Sequence, residues 1–101
     1  MRDDHIWIEQ AALATIRIPM ILLLADLPDG AHATVTAVCA SSAALGNAHL
    51  RRLGELGFLP GEPVQALRRG PGGREPLAVV IGETMFALRL AEARCITVAL
   101  A

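Results

Sequence analysis

Leu53-Gly54-Glu55-Leu56-Gly57-Phe58-Leu59-Pro60-Gly61 decides the fold of this 101-residue chain. Leu50, Leu53 and Leu56 recur at every third position, which places them on one side of a helix. Gly57 follows the last of them, where a helix commonly closes on a residue at positive φ that glycine adopts at little cost. Pro60 forbids a return to helix and biases Leu59 towards an extended backbone. Pro60-Gly61 is a turn signal, so a helix end, a sharp reversal and a strand start follow one another within nine residues.

Upstream of this stretch, Ser41 or Ser42 is a candidate N-cap for a helix beginning near Ala43. Gly46-Asn47 interrupts it, and Asn47 is placed to cap a second segment over residues 48–56. The expectation is therefore one broken helix or two short ones. At about 100° per residue the three leucines form an apolar arc, with Arg51, Arg52 and Glu55 opposite. His49 falls near the edge of the arc. Arg51 and Glu55 make an i,i+4 pair in the weaker order, worth only about 0.2–0.5 kcal/mol.

Strands flank the helical insertion. Residues 33–39 alternate Thr34 and Thr36 with Val35 and Ala37 after a Pro28-Asp29-Gly30 turn. Residues 64–69 form a second strand, ended by Gly70-Pro71-Gly72-Gly73. Residues 77–81 are nearly all apolar and read as a buried strand. Gly82-Glu83 suits a two-residue hairpin with glycine first. Residues 84–90 return antiparallel, residues 91–94 make one tight turn, and residues 95–100 form the last strand. Five short strands with one or two short helices between strands one and two point to a mainly β small barrel.

Residues 4–16 have helical character, with Ile6, Ala11, Leu13 and Ile16 and no Gly or Pro. Trp7 is a large apolar surface if exposed, so this extension is expected to pack on the barrel or against another copy. The apolar run over residues 16–25 is too short to span a bilayer. Arg2 is followed at once by Asp3 and Asp4, unlike a secretory signal. These features point to the cytoplasm.

An apolar fraction of 53% excludes a disordered chain, and the length supports one domain. Net charge is −1, so no global field favours nucleic acid or a membrane surface. All nine basic residues are arginine, in keeping with a GC-rich genome. Cys39 and Cys95 are too few for a disulfide framework. Each is expected in a strand as a small buried hydrophobe, reduced in a cytosolic protein. Pairing of the first and last strands would bring the two sulfurs close.

Motifs for chemistry are scarce. Gly70-Pro71-Gly72-Gly73 lacks the Gly-Lys-Ser/Thr of a phosphate loop and opens no helix, so it reads as a hairpin loop. Ser41 and Ser42 have no nucleophile-elbow context. His5, His32 and His49 are isolated from one another, so divalent ions are expected to bind only adventitiously, with no dedicated metal site or cofactor. Exposed arginines without stacking aromatics do not describe a nucleic-acid barrel. No nucleophile, acid–base pair or ligand cluster marks an enzyme.

The ordered set of residues resembles the FeoA family, the small cytosolic proteins of bacterial ferrous iron transport. Arg51, Leu53, Leu56, Gly57, Phe58, Pro60 and Gly61 fill the first part of its pattern. Gly82 with Phe86-Ala87-Leu88-Arg89 fills the second, and Glu92-Ala93 with Ile96 and Val98 the closing strand. Gly54 departs from the family, which usually carries a bulkier residue between the two leucines. The match runs from about residue 24 to the C-terminus. It implies an SH3-like barrel over residues 20–101, with residues 1–19 as an extension outside it. It also implies a non-enzymatic accessory role, whose partner is the cytosolic GTPase-containing region of the FeoB permease. Contact with the membrane would come only through that permease. Arg51, Arg52 and Glu55 are the candidate contact residues. Leu53, Leu56, Gly57, Pro60, Gly61 and Gly82 are motif residues that shape the fold. The alternative is a standalone SH3-like adaptor or metal-responsive regulator. A related barrel closes iron-dependent repressors, but no DNA-reading helix-turn-helix precedes it here.

Overall fold

The computed structural model describes residues 19–73 and 75–100. The expected helical extension, with His5 and Trp7, falls almost wholly outside them. Chain order is β1 (Ile21–Leu23), a 3-10 turn (Leu24–Asp26), β2 (His32–Val38), α1 (Asn47–Leu56), β3 (Pro63–Arg69), a turn at Pro71–Gly73, β4 (Leu77–Ile81), β5 (Thr84–Leu88), α2 (Leu90–Ala93) and β6 (Ile96–Leu100). All neighbours in the single sheet are antiparallel, in the order β1-β6-β2-β3-β4-β5.

Period-2 patterning explains which face turns inward. Leu77, Val79 and Ile81 of β4 are buried while Ala78 and Val80 are only partly covered. Val64 and Ala66 of β3 and Ala33 and Val35 of β2 do the same. Gly82 at φ +61, with Glu83 at ordinary φ, makes the expected two-residue turn that sets Ile81 opposite Thr84. Irregularities in register between Val35 and Ala37 and between Ala66 and Arg68 bend two strands. Such bulges increase twist and let a sheet curl around its core.

Leu24, Leu27, Leu53, Phe58 and Ile96 are among the largest wholly buried side chains. Arg69 secures the corner that carries two of them. Its guanidinium donates to Asp29 Oδ1, to the Ala25 carbonyl at 2.7 Å and to the Leu27 carbonyl at 2.9 Å. A planar fork with several donors suits three acceptors at once.

The structure corrects the strand count, the start of the helix and the placement of the cysteines. Among the described residues six strands are present, not five, because β1 pairs Ile21 with Ala99, Leu22 with Val98 and Leu23 with Thr97. Its three residues are all apolar and too few to show a period. One helix lies between β2 and β3, within the one or two expected, and the segment expected to begin near Ala43 is not helical. Ser42 Oγ accepts the N–H groups of Ala44 at 3.1 Å and Leu45 at 3.2 Å, a local turn that competes with helix. Gly46, not Asn47, is the N-cap, with extended backbone and no side-chain cap. Finally, Cys39 and Cys95 sit just outside the ends of β2 and β6 rather than within them.

Candidate functional site

α1 is amphipathic. Leu50 and Leu53 are buried, Leu56 is half-buried, and Arg51, Arg52 and Glu55 are exposed. Arg51 and Glu55 do not pair with each other; among the described residues the ion pairs are His49–Glu92 and Arg69–Asp29. The helix ends as the sequence requires. Gly57 adopts φ +119, its N–H donates to the Gly54 carbonyl at 3.0 Å, and the Phe58 N–H donates to the Leu53 carbonyl at 3.2 Å. This double bond pattern is the glycine-terminated helix end in which the next apolar residue folds back on the last turn. Phe58 is accordingly buried, with its ring 5.9 Å from that of Phe86.

Burying Phe58 turns Leu59 outward, where it is 50% exposed. It was not among the candidate residues from sequence, and the signal for it was its place between a buried Phe and Pro60. A methyl on Gly54 would lie 3.8 Å from Leu59 Cδ2. The departure of Gly54 from the family pattern therefore leaves room beside Leu59. The resulting face carries two arginines, one glutamate and one exposed leucine. Pro60 and Gly61, the latter at φ +93, make the exposed turn into β3.

The two halves of the sequence motif meet in space. A methyl on Gly57 would lie 3.7 Å from Ile81 Cγ1, so the helix end packs beside the residue that precedes Gly82. The opposite edge of α1 is anchored by His49, whose Nε2 is 2.6 Å from Glu92 Oε2 of α2. Burial acts to raise the Glu92 pKa, but the Arg89 N–H and the His49 side chain outweigh it and hold the carboxyl below the ordinary glutamate range. An ionised carboxylate only accepts, so Nε2 carries the hydrogen.

Chemistry elsewhere is limited. His32 lines a shallow depression of about 170 Å³ with Pro63, Gln65 and Gly82, below the size of ordinary ligand pockets. Among the described residues no three His, Cys, Asp or Glu side chains are grouped to hold a metal ion. No helix among them is long and apolar enough to cross a membrane. Neither Ser41 nor Ser42 is assembled with a base.

The FeoA domain family model matches residues 22–100. Among solved structures, Stenotrophomonas maltophilia FeoA, a prokaryotic SH3 domain protein in complex with zinc, is 44% identical, with a TM-score of 0.68 over 76% of this chain and 88% of that one. Chlorobium tepidum FeoA is 34% identical, with a TM-score of 0.64 over 78% of this chain and 70% of that one. A manganese-dependent transcriptional repressor shares the fold at 20% identity and a TM-score of 0.69, over 89% of this chain and 47% of that one. Among curated proteins none matches. The motif residues, the curled antiparallel sheet and a family model spanning nearly the whole described region agree: this chain belongs to the FeoA family and has its SH3-like fold.

Proposed function

We propose that this protein is a non-enzymatic, cytoplasmic accessory factor of bacterial ferrous iron uptake. It acts by protein contact on the GTPase-containing region of a FeoB-type permease. The observation that carries the reading is the outer face of α1. Arg51, Arg52 and Glu55 are exposed there on the helix that bears the family motif, and Leu59 stands exposed at its end. An apolar anchor ringed by charge suits a protein partner better than a small ligand. Metal is cargo of the system in this reading, and the protein works without a tight Fe(II) site of its own.

The test is ferrous-uptake complementation in a strain lacking the protein, with melting temperature measured on the same variants. Arg51→Glu with Arg52→Glu is expected to melt like wild type, because both side chains are solvated, and to lose uptake and permease pull-down. Full uptake by a normally folded double variant would remove this face as the contact surface. The fold likeness to metal-dependent repressors supplies a second arm. Metal-dependent DNA binding by the purified chain, with normal uptake in its absence, would favour a regulator instead.

A further inference from the structure

We propose that Cys39 and Cys95 form a redox-active dithiol that hydroperoxides close to an intramolecular disulfide and that low-molecular-weight thiols reopen. The proposal does not depend on the transport reading.

Topology brings together two cysteines that lie far apart in sequence. The β2–β6 ladder ends on Val38 opposite Ile96, and one further step sets Cys39 opposite Cys95. The Cys39 N–H donates to the Cys95 carbonyl at 2.8 Å, which fixes that register. Facing residues of antiparallel chains have Cα atoms about 4.5–5.5 Å apart and side chains on the same side. A disulfide spans about 4.4–6.8 Å between Cα atoms, so closure requires little backbone movement. Both thiols are free.

Their environments differ in a way that assigns roles. Cys39 is half-buried and Cys95 is buried, so a small oxidant reaches Cys39 first. Hydrogen bonding to the Cys95 sulfur, followed by burial, pushes the Cys39 thiol up. At neutral pH Cys39 therefore rests protonated, and closure quickens as pH rises, because the thiolate is the nucleophile. The Cys39 thiolate attacks one peroxide oxygen, the O–O bond breaks, and Cys39 becomes a sulfenic acid while hydroxide leaves and takes up the thiol proton as water. The Cys95 sulfur then attacks Cys39 sulfur, the S–O bond breaks, and a second water leaves with the Cys95 proton. Two thiols are oxidised and one hydrogen peroxide is reduced to two waters. Reopening transfers the two electrons from a pair of small thiols, which end as their own disulfide.

The bond would tie the end of β2 to the junction between α2 and β6. There the Cys95 N–H already donates to the Glu92 carbonyl at 3.0 Å, and Glu92 holds His49 of α1. Oxidation would thus stiffen the base of the helix that carries the candidate contact face.

The experiment uses the full chain, reduced and then exposed to hydrogen peroxide, with thiol titration, intact mass and melting temperature as readouts. Both thiols are expected to disappear and the mass to fall by two hydrogens with no covalent link between chains. The melting temperature should rise by roughly 10 °C or more, since the bond closes a long loop. Dithiothreitol should reverse all three, and the rate should climb with pH. Cys39→Ser, at a half-buried site, is expected to fold and to show no loss of two hydrogens. The proposal is overturned if the wild-type thiols survive, if the mass instead gains oxygen, or if only cross-linked dimers form.

Discussion

His49 of α1 donates its Nε2–H to Glu92 Oε2 of α2 at 2.6 Å, joining residues 43 positions apart. The second carboxylate oxygen accepts the Arg89 N–H at 2.7 Å. One side chain therefore starts α2 and braces α1 at once. His49 is 40% exposed, which limits what the pair is worth. Glu92→Ala is expected to lower stability by about 1–2 kcal/mol, and His49→Ala by less. A double-mutant cycle in urea should show coupling between them. Strict additivity would mean that the contact contributes nothing.

Acid should reveal the same carboxylate. Its folded pKa lies below the ordinary range, so the folded state binds this proton less readily than the unfolded chain. Its contribution is fully present above the ordinary glutamate value and is lost as pH falls through the lowered one. Denaturation midpoints of wild type and Glu92→Gln should accordingly converge in acid and separate at neutral pH. A constant gap across the titration would contradict this.

Two glycines should fail for different reasons. Gly57 has space for a methyl, with Ile81 carbons at 3.7 and 3.8 Å, but sits at φ +119. Gly57→Ala should lower stability by about 1–2 kcal/mol, and Gly57→Asn should be milder because asparagine tolerates that region better. Gly70 lacks a positive φ, yet its Cβ would overlap the Glu75 carbonyl and lie 2.8 Å from Pro76 Cδ. Gly70→Asn should therefore be no better than Gly70→Ala, each costing about 1–3 kcal/mol. Thermal melts of the four variants give the order.

Arg69 should resist conservative replacement. Its side chain serves two backbone carbonyls and Asp29 together. Lysine supplies a single ammonium without the planar fork. Arg69→Lys is expected to lose about 1–2 kcal/mol and Arg69→Ala about 2–3 kcal/mol, because carbonyls at the corner between Leu24 and Leu27 lose their donor. Equal melting temperatures for wild type and Arg69→Lys would show that charge alone suffices.

Local patterning carried most of the fold. Alternation in residues 33–39, 64–69 and 77–81, the glycine at 82 and the Leu-x-x-Leu-Gly helix end each depend on neighbours a few residues away. Their elements stand close to where the sequence placed them. The solvated side of α1 was legible for the same reason, since a helix with one leucine arc must turn Arg51, Arg52 and Glu55 outward. What depended on distant partners was not legible. β1 exists only because β6 offers it an edge. Leu59 is exposed because Phe58 is drawn against Phe86. His49 with Glu92 and Arg69 with the 25–29 corner join residues at least forty positions apart. Sequence spacing is silent about such pairs, because strand order and register, set by burial of the whole core, decide which side chains face one another.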